Sequence, residues 1–136
     1  ARRHYFEIEL APLERRARFV SGWGELEVDD IHEWRSMGAR SVAILPPARG
    51  ATKLRMHLAL PAELAARKPR ITVRVNGRVI DSFRTGEPDF ERNYDVTPAP
   101  HDAPNTLELS IDRTVPGADG RPLGLRLWAL AWGPSL

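Results

Sequence analysis

The feature that most constrains this chain is a hydrophobic rhythm of period two, broken again and again by turn-forming residues. Leu54, Met56, Leu58 and Leu60 alternate with Lys53, Arg55 and His57. Side chains at i, i+2 and i+4 of a strand face one way, so this stretch reads as a strand with one buried side and His57 on the polar side. Ile71–Val75 alternates in the same way and runs into Asn76–Gly77. That dipeptide accepts the left-handed backbone of a two-residue hairpin, with Arg78–Phe83 as the return strand. Tyr5–Leu10, Arg18–Trp23, Arg35–Met37, Ser41–Leu45, Phe90–Val96, Thr106–Ile111 and Leu123–Trp132 complete a set of strands spaced ~8–12 residues apart. Short connections imply antiparallel pairing, because parallel strands need long crossovers. The expected fold is therefore all-β and antiparallel, a sandwich or a barrel. Its expected core is Leu54, Met56, Leu58, Val73, Val75, Leu107, Leu109, Ile111, Leu125 and Leu127.

Between the strands the signals are local. Gly22 and Gly24 are expected to stop the Arg18–Trp23 strand and leave Gly22–Met37 rich in loop, with a single turn over Asp29–Glu33. Pro61–Lys68 reads as a two-turn helix with Pro61 at its start and Glu63 in its first turn. Ala48–Thr52, Thr97–Pro104 and Thr114–Pro122 read as loops. The last strand breaks strict alternation, since Leu125 and Leu127 share one face while Leu130 and Trp132 fall on the other. A β-bulge at Trp128–Ala129 resets the phase and returns all four to one core. The competing reading is a strand covered on both faces.

At 136 residues the chain is expected to form one domain, 1–136, with 1–18 supplying a strand and connection and 19–132 the sandwich. The absence of cysteine excludes a disulfide-stapled scaffold and a thiolate zinc site. The formal net charge is +2, and basic clusters such as Arg15–Arg16–Arg18 are offset by Glu25, Glu27, Asp29, Asp30 and Glu33. No continuous basic face for nucleic acid is expected. No run approaches the ~20 apolar residues of a membrane span. No secretory or lipidation motif is visible, which gives the expectation of a cytoplasmic location.

Enzyme signatures are missing: there is no nucleophile elbow, phosphate loop or dinucleotide-binding glycine run. The four histidines, His4, His32, His57 and His101, lack metal-ligand spacing. Glu25 with Asp29 or Asp30 is a candidate pair of glycosidase acids, set against a solvated acidic loop. Trp23 and Trp34, beside Glu25 and Arg35, have the makings of a sugar site, in which a ring face meets C–H groups and charged neighbours bond hydroxyls. The alternative is that both rings plug the ends of the sandwich, and Trp128 and Trp132 read as core or interface. Asp119 and Arg121 brace the loop before the last strand, where Gly124 permits close backbone approach.

Taken in order, Gly22–Trp23, Glu25, Trp34–Arg35, the hairpin Val73-Arg-Val75–Asn76–Gly77, Tyr94-Asp-Val96 and Asp119-Gly-Arg121-Pro-Leu123–Gly124 resemble a known pattern. It is that of the accessory β-sandwich carried by many bacterial glycosyltransferases and polysaccharide-biosynthesis proteins, a carbohydrate-binding module of the galactose-binding jelly-roll kind. The matches run from about residue 20 to 132. The chain departs from the pattern in the order Trp34–Arg35 and in its Arg-rich front, residues 1–18. The resemblance implies a two-sheet antiparallel β-sandwich in jelly-roll order, and a noncatalytic module that acts near glycan synthesis or modification, with a glycan as ligand and a glycosyltransferase or other catalytic partner. It implies Trp23, Glu25, Trp34, Arg35, Asp119 and Arg121 as ligand-binding residues, and no cofactor. Some such modules hold a structural Ca²⁺, but no cluster of oxygen ligands in this sequence demands one. Two other readings stand beside it: a protein-interaction or scaffold sandwich that docks through Trp128 and Trp132, and a small glycan hydrolase or lyase.

Overall fold

The alternating stretches do form strands, and every pair among them is antiparallel. The structure is a computed structural model that describes residues 12–133. In chain order the elements are α1 (Leu13–Arg16), β1 (Arg18–Val28), β2 (Glu33–Leu45), β3 (Lys53–Ala59), α2 (Ala62–Ala65), β4 (Arg70–Val75) and β5 (Arg78–Arg84), followed by β6 (Asp89–Asp95), β7 (Asn105–Ile111), β8 (Val115–Pro116), β9 (Pro122–Leu123) and β10 (Arg126–Gly133). The strand expected at Tyr5–Leu10 lies outside the described residues.

Hydrogen bonds link the strands in the order β5-β4-β7-β2-β10-β3-β6, with β1 along the other edge of β2. The two ends of this path meet. Phe83 of β5 packs edge-to-face on Phe90 of β6, at 5.9 Å between centroids. The Tyr94 hydroxyl of β6 donates to Asp81 of β5 at 2.8 Å. A sheet whose ends touch has closed over its own hydrophobic face. The result is a sandwich, with β5, β4, β7 and the C-terminal half of β2 in one layer and β10, β3, β6 and the N-terminal half of β2 in the other. This is the antiparallel jelly-roll sandwich expected from the sequence.

The fold is held from within. All ten expected core residues are buried, none more than 5% exposed. Fully burying a side chain of the size of Leu54 or Ile71 contributes about 1.5–3 kcal/mol. The Asn76–Gly77 hairpin forms as expected, with φ of 52° and 81° at its two central residues, the positive pair a type I′ turn requires. Asn76 also ties the turn to β7, accepting from the Thr106 amide at 2.8 Å. The bulge in the last strand is present as well. Leu127 pairs with Leu58 and Ala129 with His57, so Trp128 is the extra residue. Leu125, Leu127 and Leu130 are buried and Trp132 packs against the same core.

The structure corrects several expectations. Gly22 and Gly24 do not end a strand: β1 continues to Val28, and Gly22–Met37 is mostly a β1–β2 ribbon rather than loop. The ladder tolerates the glycines because β1 and β2 slip in register at three points instead of parting. Arg35–Met37 and Ser41–Leu45 are not two strands but one, bent over Gly38–Arg40. At the bend Gly22 has φ of +81°, and a Cβ there would stand 1.9 Å from the Arg40 carbonyl oxygen. The turn at Asp29–Glu33 is a hairpin loop, closed by the Asp29 carboxylate accepting from the Ile31 and His32 amides. These bonds hold the Asp29 carboxyl below the usual carboxylate range. The Pro61–Lys68 helix shrinks to the single turn α2, and the Thr114–Pro122 loop contains the short β8–β9 ladder.

Candidate functional site

On the outer face of the second layer the strand order brings together residues far apart in sequence. Glu27 of β1 lies opposite Trp34 of β2. Arg126 of β10 lies opposite Ser36, which sets Trp128 beside Trp34. His57 of β3 pairs with Ala129 and, on its other side, with Glu91 of β6. One row therefore crosses five strands: Glu27, Trp34, Trp128, His57, Glu91. It spans about 19 Å at the ~4.8 Å spacing of neighbouring strands. The bulge aims Trp128 into the row. It sets Trp128 and Ala129 together against His57, so Trp128 stays outside while Leu130 still turns inward.

The rings of the row touch. Trp34 stacks on Trp128 at 5.5 Å between centroids, and His57 stacks on the other side of Trp128 at 5.8 Å. His32 meets Trp128 edge-on at 4.6 Å. Trp34, Trp128 and His57 are all half-buried, so the row is neither core nor freely mobile surface. Polar groups line it. The Trp34 indole N–H donates to the Glu27 carboxylate at 3.1 Å, and the Ser36 hydroxyl donates to the same oxygen at 3.1 Å. His57 bonds Asp89. Arg55 donates to Asn93 at 3.1 Å, and the Arg126 guanidinium lies 5.7 Å from the centre of the Trp34 ring. Half-exposed stacked rings beside carboxylates, a hydroxyl and guanidinium groups suit a ligand with apolar C–H faces and many hydroxyls.

The six residues singled out in the sequence do not gather at one place. Trp34 is in the row. Trp23 lies opposite Met37, on the inner side of the ribbon. Its indole N–H donates to the Val42 carbonyl at 3.1 Å, and its ring packs on Phe19 at 5.1 Å. Arg35 is also on that side, donating to the Gly24 carbonyl at 3.0 Å with its guanidinium 4.4 Å from the Phe19 ring centre. Glu25 is exposed in the irregular stretch between Trp23 and Leu26. Asp119 and Arg121 form a local clamp on the β8–β9 hairpin, where Asp119 accepts from the Arg121 amide at 3.0 Å. The Gly124 amide behind that hairpin donates to the Met37 carbonyl at 2.7 Å.

Sequence reasoning did not join Trp128 and His57 to Trp34. The broken alternation at Trp128–Ala129 was the one available sign that Trp128 faces outward. Glu25, Asp29 and Asp30 are exposed, with Asp29 engaged in the hairpin loop, so no enclosed acid pair forms there. Among the described residues no cluster of three or more His, Asp or Glu is placed to hold a metal ion. No helix among them is long and apolar enough to cross a membrane.

No protein-family model matches the chain, and no curated protein sequence does. Solved structures share its fold. The Agl-KA catalytic domain matches at a TM-score of 0.55 with 13% identity, over 90% of this chain and 27% of that one. Xylanase10C from Cellvibrio japonicus, an E385A mutant in complex with xylopentaose, matches at 0.54 with 10% identity, over 88% and 27%. A family two carbohydrate esterase from Clostridium thermocellum, in complex with cellohexaose, matches at 0.53 with 10% identity, over 86% and 31%. The chain thus spans about a third or less of each of these three structures, and the likeness is one of fold.

Proposed function

We propose that this protein is a noncatalytic carbohydrate-binding module whose ligand lies along the Trp34–Trp128–His57 row. The observation that carries the reading is the row itself: stacked, half-exposed rings aligned across three neighbouring strands, with hydrogen-bonding groups on both flanks. At about 19 Å the row suits an extended oligosaccharide better than a single ring. Its ends, Glu27 and Glu91, accept hydrogen bonds from hydroxyls, and the Arg55 and Arg126 guanidinium groups beside the rings donate to them. The sugar-processing character of the structures that share the fold agrees with this reading. A module of this kind serves a catalytic partner by holding glycan near it, during either synthesis or modification, and a glycosyltransferase is the partner the sequence resemblance suggests.

The test is calorimetric titration with cellohexaose and xylopentaose. Saturable binding of at least one, weakened about tenfold or more by Trp128→Ala in a protein that keeps its unfolding midpoint, supports the reading. A tenfold loss equals about 1.4 kcal/mol, within reach of one lost ring contact. A folded Trp128→Ala variant with undiminished affinity would remove the row from the site.

A further inference from the structure

The outer face of the first layer holds a pocket that the aromatic row does not use. It has a volume of about 250 Å³ and sits beside the bend of β2, lined by Ser21 of β1, Arg40 and Val42 of β2, Glu108 and Ser110 of β7, and Arg74 of β4. Register explains the convergence. Arg40 lies opposite Ser110, and Val42 and Arg74 flank Glu108 from either side. These positions alternate with the buried Ser41, Leu107 and Leu109, so their side chains share the outward face.

Arg74 and Glu108 stand opposite one another on adjacent strands, where unlike charges ordinarily pair. Here they do not. Among the described residues Arg40, Arg74 and Glu108 make no ion pair or side-chain hydrogen bond, so two guanidinium groups and one carboxylate line a common pocket unpaired.

We propose that this pocket binds one unit of a monoanionic sugar acid, a hexuronate. The three charged groups sum to +1, which a single carboxylate neutralises. Guanidinium is the group best shaped to grip a carboxylate through two parallel hydrogen bonds. Ionised Glu108 only accepts hydrogen bonds, so it matches ring hydroxyls and repels a second negative charge on the ligand. That combination disfavours phosphate esters, which carry more charge, and neutral sugars, which leave the guanidinium groups unpaired. At about 250 Å³ the pocket falls below the usual range for drug-sized ligands, which suits a ligand of one ring. The inference goes beyond the glycan reading of the aromatic row and uses none of its residues.

The experiment is NMR titration of the protein with D-glucuronate, D-glucose, glucose 6-phosphate and a disaccharide bearing a terminal glucuronate. Glucuronate is expected to bind saturably, at least tenfold more tightly than glucose or glucose 6-phosphate, and more weakly as salt rises. Arg74→Gln is expected to weaken it tenfold or more, and Arg67→Gln, which removes an exposed charge on a distant surface, to leave it unchanged. Equal binding of the disaccharide identifies a chain terminus as the ligand, and binding of the free acid alone identifies the monosaccharide. Arg74→Lys keeps the charge without the planar fork and serves if the glutamine variant does not fold, with the same loss expected. No saturable binding of either glucuronate form, equal binding of glucose, or undiminished binding by the folded Arg74 variants would overturn the proposal.

Discussion

Trp34 and Ser36 stand on the outer face of one layer, and a few residues further along the same strand Arg40 and Val42 stand on the outer face of the other. Alternation is interrupted at the bend, where Gly38, Ala39 and Arg40 are all unburied, and resumes beyond it in the same phase, so even positions of β2 supply both surfaces. What differs is the neighbours. On one side β10 and β3 bring Trp128 and His57, and the surface becomes a row of stacked rings. On the other, β7 and β4 bring Glu108 and Arg74, and the surface becomes a charged pocket with no aromatic lining. A single strand does not define a site; the strands that flank it do. The two faces should also answer differently to salt, since ring stacking is nearly indifferent to it and exposed charges are screened by it.

The strongest way to break the contrast is at the bend the two faces share. Gly22→Ala places a methyl group against the Arg40 carbonyl at a backbone angle that L-residues avoid. It is expected to cost about 3 kcal/mol or more, read as a drop in the urea midpoint, and to disturb both faces at once. Next comes the inner tryptophan of the ribbon. Trp23→Ala removes a half-buried ring and leaves the Val42 carbonyl without its indole donor. The expected loss is about 2–3 kcal/mol of stability, below the ~3–5 of a fully buried ring. Trp34→Ala on the opposite side of the same ribbon should leave stability within about 1 kcal/mol while weakening oligosaccharide binding about tenfold. If the two tryptophan variants behaved alike in both measurements, the division into inner and outer rings would fail.

The smallest effect concerns the seam where the sheet ends meet. Burial and then the bonded Asp81 carboxylate raise the Tyr94 hydroxyl well above its ordinary 10.0. The folded protein thus keeps this proton where the unfolded chain loses it. The contribution is full below about pH 10 and is lost as pH rises through the folded value. Tyr94→Phe should remove that alkaline slope and cost about 1 kcal/mol at neutral pH, checked by unfolding at pH 7 and 11.

Much of the fold was legible in the residues themselves. The alternation of Leu54, Met56 and Leu58, the Asn76–Gly77 turn and the broken phase at Trp128–Ala129 each report a local requirement, and each formed as expected. The Gly22–Met37 stretch misled because glycine ends an isolated strand, whereas here a neighbouring strand supplies partners and bulges absorb the slips. Of the proposed site, Trp34 was legible as an aromatic beside charge. Its union with His57 and Trp128 was not, since that depends on β10 lying between β2 and β3.

The residue order by itself determined which side chains face inward wherever a strand runs without a bulge, because successive side chains of a regular strand point to opposite faces. The tertiary structure alone decided which outward side chains meet. Outside the hairpins, where a turn such as Asn76–Gly77 sets the partner, neighbouring strands and their registers are set by closing one common core, through contacts between residues tens of positions apart.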